Sequence, residues 1–501
     1  MKLALVFNPF SYKLHEENLR IVQRYFGLFP PLSLTWVAAI AEQAGHEVEI
    51  IDARTLRLTP EQVAAYLKKK FKPDVVGSMM TTYMFRETLG WLKHMKQEMP
   101  HIKTLIGGYN LRVYPIDSVA ADPDIDFGCF NSAYHTVPAL LDVLENGGNF
   151  DDVPGLIYRK NGQIVQTDYG KDPDFEDYPN PARHLLPNEL YAEFPTERKN
   201  FTLLVTSKGC PMGCKFCEAG RTRYNARSVK RVVDEIEECY NKHGIREIDI
   251  FDYEFLIDRK RVMAICDEIV RRKIDVLWAC RARIDSVDEE LLKKMKAAGC
   301  GRIYFGVEHG LQEMLDAVNK GITLDQIRHS LTITREAGIR TLGFFMTGLP
   351  GETRETLKEM LKFAHSLPLD YIQFSKTTAK PLTTMWKELV EETGYDYWRE
   401  YILGNVEEAP LPRPWTELTN DEIDMLTKQA YVKFHSRPFF LLRHAMKVRS
   451  FDEFKRKFLA WVEMKYRQEA VSAKANGFVA YGENKGRLEW YKKISKWSAP
   501  F

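Results

Sequence analysis

Three cysteines, Cys210, Cys214 and Cys217, stand in the run Lys208-Gly-Cys-Pro-Met-Gly-Cys-Lys-Phe-Cys-Glu-Ala-Gly220, a C-x3-C-x2-C spacing. Thiolates are soft ligands, and three this close in sequence can converge on one metal centre. Gly209, Gly213 and Gly220 let the backbone wrap tightly around it. The preceding Phe201-Thr-Leu-Leu-Val-Thr206 is β-branched and apolar and predicts a buried strand, and residues 228–243 carry a polar helical pattern. The triad therefore falls on a loop at the carboxyl end of a strand, where α/β proteins build their sites. Iron–sulfur clusters are held by Cys thiolates, and three protein ligands leave one iron open. Zinc would want a fourth Cys or His nearby, and the closest histidines are His184 and His243. A redox pair and unrelated core cysteines are the other readings of the same spacing.

The elements that must position this loop alternate. Strands are expected at 202–206, 247–251, 276–279, 302–306, 341–347 and 371–375, with helices between them. Six βα units predict a partial barrel rather than a closed eight-fold one. Its strand ends are polar in a way a core does not require: Asp252-Tyr-Glu-Phe255, Cys280-Arg281-Ala-Arg283, Gly306-Val-Glu308-His309 and Gly348-Leu-Pro-Gly-Glu352. Singly, each has a structural reading. Glu308 could pair with an Arg, and Glu352 could cap a helix starting near Thr353. Together, on the rim that carries the triad, they favour a site.

Ahead of the barrel, residues 2–8, 48–52, 74–80 and 103–107 read as strands, and 31–45, 60–70, 85–98 and 137–146 as helices. Strict alternation predicts a parallel sheet with helices on both faces, a doubly wound, Rossmann-like domain. Gly107-Gly108 after one strand allows close backbone approach to a ligand, and Met79-Met-Thr81-Thr82 supplies hydroxyls at the same edge. The chain is thus expected to divide into 1–150, a connector 151–195 with an Asn-Gly hairpin, a barrel 196–395, and a helical region 396–501 rich in aromatic and basic residues. Thr419-Asn-Asp-Glu422 predicts a capped helix, and another is expected at 450–466, its Lys455, Arg456 and Lys457 on a solvated face.

The cysteine spacing with Phe216 before the last Cys resembles the radical S-adenosylmethionine superfamily. So do Asp-x-x-Phe from Asp252, Arg281-x-Arg283, Gly-Val-Glu308 and Gly348-Leu-Pro-Gly-Glu. Pro30-Pro-Leu-Ser-Leu-Thr-Trp-Val-Ala-Ala-Ile-Ala-Glu-Gln-Ala-Gly45 is similar to the first helix of the cobalamin-binding domain in that superfamily's cobalamin-dependent group. The resemblance implies a [4Fe-4S] cluster on Cys210, Cys214 and Cys217. It implies S-adenosylmethionine against Phe216, Asp252, Arg281, Arg283, Glu308 and Gly348, its carboxylate meeting Arg281 or Arg283 and its amino group or ribose meeting Glu308. It implies cobalamin against Ser78, Thr81, Thr82, Gly107 and Gly108.

Three departures from the group's pattern stand out. Asp-x-His-x-x-Gly is missing, the usual Ser is replaced around Ser78-Met79, and Gly-Glu-Gly-Glu is Asn131-Ser-Ala-Tyr134. The first implies cobalt without a lower protein ligand. A fourth is Lys380-Pro-Leu-Thr-Thr-Met385 where Pro-Gly-Thr is usual, in a region that commonly faces substrate.

The activity so implied is methylation of an unactivated carbon. One S-adenosylmethionine methylates the cobalamin, a second yields the 5′-deoxyadenosyl radical, and methylcobalamin supplies the methyl. An electron donor such as flavodoxin or ferredoxin is implied with it. Cyclisation or rearrangement without methyl transfer, and a cobalamin sensor with a structural cluster, are the alternatives. A peptide or protein, a small molecule or a lipid is compatible as substrate, and no catalytic acid or base is marked. A net charge of +2 over 501 residues gives no bulk reason to expect nucleic acid. Eight cysteines without a disulfide framework, and no apolar run long enough to span a membrane, suit the cytoplasm.

Overall fold

Leu3-Ala-Leu-Val-Phe7 is apolar at every position because the strand it forms is covered on both faces. In the computed structural model, which describes residues 1–9, 27–193, 196–198, 200–406 and 413–437, β1 (Lys2–Phe7) lies inside a seven-stranded sheet. Its parallel neighbours are β2 (Glu47–Asp52) and β3 (Val75–Met79), followed outward by β4 (Lys103–Gly107) and β5 (Phe127–Cys129). The strand order 2-1-3-4-5 reverses direction at β1/β3, and the carboxyl ends there open a crevice. Helices α1 (Leu32–Gln43), α2 (Phe85–Glu98) and α3 (Ala133–Asn146) cover the faces. Helix α3 begins at Ala133 rather than 137, because Ser132 caps it by accepting from the Tyr134 N–H at 3.2 Å. Strand β5, three residues long, is too short to show a period. The connector's hairpin, β6 (Leu156–Lys160) and β7 (Gln163–Gln166), adds two antiparallel strands to this sheet.

The second sheet is six parallel strands in chain order: β8 (Phe201–Leu204), β9 (Glu247–Ile250), β10 (Leu277–Arg283), β11 (Cys300–Glu308), β12 (Arg340–Thr347) and β13 (Tyr371–Lys376). Helices α4 (Val229–Lys242), α5 (Arg259–Arg271), α6 (Glu289–Ala297), α7 (Leu324–Glu336) and α8 (Arg354–Ser366) line its outside. The period of two divides β11. Ile303, Phe305 and Val307 join the core under the helices, while Tyr304 packs on the concave side with Ala279, Leu342 and Tyr371. Glu193 closes the floor of this half-barrel, accepting from the Tyr304 hydroxyl at 2.8 Å with Arg302 beside it at 3.4 Å.

The chain then returns to the first domain. Along α9 (Thr384–Thr393) and α10 (Tyr397–Leu403), Trp398, Tyr401 and Ile402 complete the first domain's core. Helix α11 (Asn420–His435) starts on the expected capping box between Thr419 and Glu422 and packs its Ile423 and Phe434 into the barrel core. The helix expected at 450–466 lies outside the described residues. Among the described residues no helix is long and apolar enough to cross a membrane.

Candidate active site

The cysteine loop leaves β8 and is closed at its base by a short antiparallel pairing of Ser207–Lys208 with Asn225–Ala226. Gly209 has φ +78°, and a Cβ there would lie 2.0 Å from the Arg223 carbonyl oxygen, so only glycine lets the two arms cross. Backbone bonds from Arg221 N–H to Met212 O at 2.8 Å and from Thr222 N–H to Cys210 O at 3.0 Å hold the loop in a tight coil. Asp252 fixes its root, accepting from Thr206 N–H at 2.6 Å, Thr206 Oγ1 at 2.5 Å and Ser207 Oγ at 2.7 Å. Both oxygens are thereby committed inside the protein.

Cys210 and Cys214 are buried, Cys217 half-buried, and all three are free. Burial pushes the Cys217 thiol up to about 11, and the charges of Cys214 and Cys210 push it the same way. Thiols in this setting become thiolates only when a cation is bound among them. Among the described residues no three Cys, His, Asp or Glu side chains form a cage for a single ion. Three thiols within electrostatic reach of one another, in a loop with no fourth ligand, fit a cluster of several irons better than one zinc.

The rim sorts the two arginines. Arg281 donates from Nη1 to both oxygens of Asp249 at 2.9 and 3.0 Å, its guanidinium 3.6 Å from the Phe251 ring centroid. Arg283 forms a fork with Asp285, 2.9 Å on each arm, and its Nη1 stands 3.8 Å from Cys214 Sγ. Arg283 is therefore at the cluster loop, and Arg281 is bound within the concave face.

Glu308 pairs with a lysine rather than an Arg: its Oε1 accepts from Lys320 Nζ at 2.7 Å, and both side chains are buried. Glu308 has φ +65°, a conformation unusual for a residue with a side chain. A Cβ at Gly306 would lie 2.4 Å from Glu308 Oε1 and 2.7 Å from Lys320 Nζ, so that glycine makes room for the pair. Lys320 Nζ is 5.9 Å from the Phe216 ring centroid, and Asn319 Nδ2 donates to Gly213 O at 2.8 Å. Cys214, Phe216, Arg283, Glu308 and Lys320 thus share one wall. Lys320 carries no signal in the sequence, being a single Lys in an Asn-Lys-Gly turn.

Glu352 does not cap the next helix; Thr353 does, in a capping box with Thr356. Glu352 instead accepts from the Gly348 N–H and from His309 Nε2, the latter at 2.8 Å. Because His309 Nδ1 accepts from Leu311 N–H at 3.1 Å, the ring proton sits on Nε2. The Gly348 carbonyl accepts from Trp415 Nε1 at 2.8 Å, so this glycine's backbone groups are engaged within the loop.

In the first domain a cavity of about 210 Å³ runs between the sheet and α1, lined by Ser33, Trp36, Gly77, Ser78, Gly107 and Gly108 among others, with no histidine among its lining residues. Its size suits a flat ring system, not a whole corrin. Gly108 has φ +108°, and a Cβ there would meet Met80 O at 2.7 Å, whereas a Cβ at Gly107 would meet nothing nearer than 3.8 Å. The backbone is a cradle that side chains would fill. Ser78 Oγ donates to Val6 O at 2.8 Å. Thr81 makes no capping bond, and Thr82 Oγ1 is buried without a partner. Ser78, Gly107 and Gly108 line this cavity and suit the edge of a flat ring and its tail, whereas Thr81 and Thr82 are not among its lining residues.

The two sites meet across Lys380–Met385. The Tyr109 hydroxyl, next to Gly108, donates to Pro381 O, and Met385 N–H donates to Lys215 O in the cysteine loop at 3.1 Å. Tyr253, half exposed, reaches toward Glu218 at 3.4 Å over the same gap.

Two known families match the chain: the radical SAM superfamily over residues 204–364 and the B12 binding domain over residues 20–141. An uncharacterised methyltransferase of Pyrococcus horikoshii is 30% identical over 449 residues, 88% of this chain and 94% of that protein. Anaerobic magnesium-protoporphyrin IX monomethyl ester cyclase of Rubrivivax gelatinosus is 30% identical over 375 residues, 72% of this chain and 67% of that one. Among solved structures, the radical S-adenosylmethionine methyltransferase TsrM from Kitasatospora setae, with cobalamin and a [4Fe-4S] cluster bound, superposes with a TM-score of 0.63 at 22% identity, covering 78% of each chain.

Proposed function

The chain belongs to the radical S-adenosylmethionine superfamily, in the group that carries a B12-binding domain, and from that premise we propose that it is a methyltransferase acting on an unactivated carbon. The observation that carries this reading is the bridge Tyr109–Pro381 and Met385–Lys215, which ties the edge of the first domain's cavity to the cysteine loop. A methyl group and a hydrogen acceptor are useful to one substrate only if both are delivered into one chamber. When bound, the cluster with S-adenosylmethionine supplies hydrogen abstraction and cobalamin supplies a transferable methyl group.

The chain's own residues do the placing. Cys210, Cys214 and Cys217 hold three irons. Glu308 would accept from the S-adenosylmethionine ammonium and Lys320 would donate to its carboxylate, a two-charge match for a zwitterion. Arg283, already forked to Asp285, lies against the cysteine loop, and Phe216 shields the pair. Ser78, Gly107 and Gly108 form the cobalamin edge. Phe251, Tyr304 and Phe344 wall the chamber, the last two stacked with centroids 5.9 Å apart, and exclude water from a reactive intermediate. The enzyme works in the cytoplasm with a reduced flavodoxin or ferredoxin, and its acceptor is a peptide or protein side chain, a small molecule or a lipid. A second reading, cyclisation without methyl transfer, is favoured by the likeness to the protoporphyrin ester cyclase.

The test is made on anaerobically reconstituted protein. About four irons per chain, stoichiometric cobalt, cleavage of S-adenosylmethionine on reduction and transfer of label from its methyl group are expected. Cleavage without label in any product would shift the assignment to cyclisation, and zinc in place of iron would sink both.

A further inference from the structure

Lys208 stands two residues before the first cluster cysteine, but its side chain points the other way, out of the barrel. Its ammonium lies 3.7 Å from the Tyr178 ring centroid, 4.4 Å from Phe175 and 5.9 Å from Trp36. Trp36 comes from α1 and the other two rings from the connector, so the cage is assembled from separate parts of the chain. Trp36 and Tyr178 also line the first domain's cavity, so the ammonium lies against two of the lining rings without itself lining the cavity.

The Lys208 backbone pairs with Asn225, but among the described residues its ammonium makes no hydrogen bond or ion pair; Asp172 acts on it only through space, and Arg112 and Arg227 oppose its charge. A mostly buried cation without an anion is unfavourable, and aromatic faces offset only part of that cost. A second donor is orphaned at the same wall: Trp36 Nε1 is buried and has no acceptor. Two unmet donors, the Trp36 indole in the wall of a cavity sized for a flat ring and a charged ammonium packed against that wall's rings, describe a site for a singly charged group with several acceptor oxygens beside that ring. A neutral amide would satisfy the indole but leave the ammonium unneutralised.

We propose that Lys208, with the Trp36 indole N–H, is the contact for the phosphodiester in the nucleotide loop of cobalamin. The proposal rests on the reading that the first domain binds cobalamin, and it makes a residue of the cysteine loop's own root a contact of the other cofactor.

The experiment compares binding of cobinamide phosphate with that of cobinamide, which lacks the phosphate, by equilibrium dialysis on full-length protein. Wild-type protein should bind the phosphate form roughly 10- to 100-fold more tightly, the range of one or two charge-assisted hydrogen bonds. Lys208→Met should bind both forms within about twofold of each other, with cluster absorbance and thermal midpoint unchanged as the control for folding, and Lys208→Arg should keep most of the preference. Should Lys208→Met fail to fold, Lys208→Arg and competition by inorganic phosphate against cobinamide phosphate on the wild type carry the test. Equal binding of the two corrinoids by wild-type protein overturns the assignment, as does a preference that survives in Lys208→Met; the latter would place the anion of this wall on the substrate. Wild-type protein that binds neither corrinoid overturns the cobalamin reading itself.

Discussion

Replacing Lys320 by Met isolates the most consequential pair on the barrel rim. Lys320 and Glu308 meet at 2.7 Å with side-chain exposures of 6% and 9%. Burial alone would lower the Lys320 pKa; Glu308 and Cys214 more than reverse it, so the lysine is charged in the folded protein. Lys320→Met leaves a buried carboxylate with no counter-charge, which costs about 3–5 kcal/mol. For a unit the size of this barrel that lowers the thermal midpoint by roughly 6–20 °C. The double variant Glu308→Gln/Lys320→Met replaces the ion pair by neutral groups of similar shape and should recover most of that loss. It should not recover affinity for S-adenosylmethionine, since both partners of the zwitterion are gone; a loss of about tenfold or more per partner is expected. Scanning calorimetry and equilibrium dialysis of S-adenosylmethionine, both on anaerobic cluster-loaded protein, give the two readouts. Wild-type stability in Lys320→Met, or near wild-type affinity in the double variant, would refute the reasoning.

Alanine at Cys210, Cys214 or Cys217 should each remove most cluster iron, seen as loss of the broad visible absorbance of reconstituted protein. Gly108→Ala places a side chain at φ +108° and 2.7 Å from Met80 O; cobalamin binding should fall by at least tenfold, while Gly107→Ala, whose Cβ would make only ordinary contact with Cys129 at 3.8 Å, should lose less. Glu254, buried and accepting from Leu256 N–H at 2.9 Å, is pushed up by burial to about 7. Because its folded pKa is raised, its stabilising contribution is full below about pH 4.5 and is lost as pH rises through about 7. Urea midpoints of apo protein at pH 5.5 and 8.5 should therefore differ by a smaller amount in Glu254→Gln than in wild type. Tyr109→Phe should leave both cofactor contents intact but lower methyl transfer relative to S-adenosylmethionine cleavage, measured as the product ratio.

The architecture was legible because its signals are local. Continuous apolar runs marked the buried parallel strands, and the alternation of strand and helix marked both sheets. The cysteine triad is an eight-residue motif whose surrounding glycines announce the coil that the backbone makes. What the sequence hid is set by partners distant in the chain. Glu352 looks like a helix cap beside Thr353, and only the fold brings His309 to it. Arg281 and Arg283 look alike, yet Asp249 draws one into the concave face while Asp285 braces the other at Cys214. Lys320 sits in an unremarked turn twelve residues after Glu308, and nothing but the packing of that turn on Gly213 makes it part of the wall.

The departure at Lys380–Met385 acquires a reason in the same way. Leu382 holds φ +67°, a left-handed conformation that costs a branched residue about 1–3 kcal/mol, and such a residue persists only where its surroundings fix it. Here they do: Pro381 O receives the Tyr109 hydroxyl, Thr383 caps α9, and Met385 N–H reaches Lys215 O. A Gly at the turn would adopt this backbone without strain but would also let it relax in other directions. A segment locked on one side to the loop after Gly108 and on the other to the cysteine loop fixes the distance between the two cofactor edges. The cluster loop's root reaches the first domain a second time through Lys208. Two such ties at separate points hold two lobes more rigidly than one, and a chamber that must deliver a hydrogen acceptor and a methyl group to a single carbon needs that rigidity before any substrate arrives.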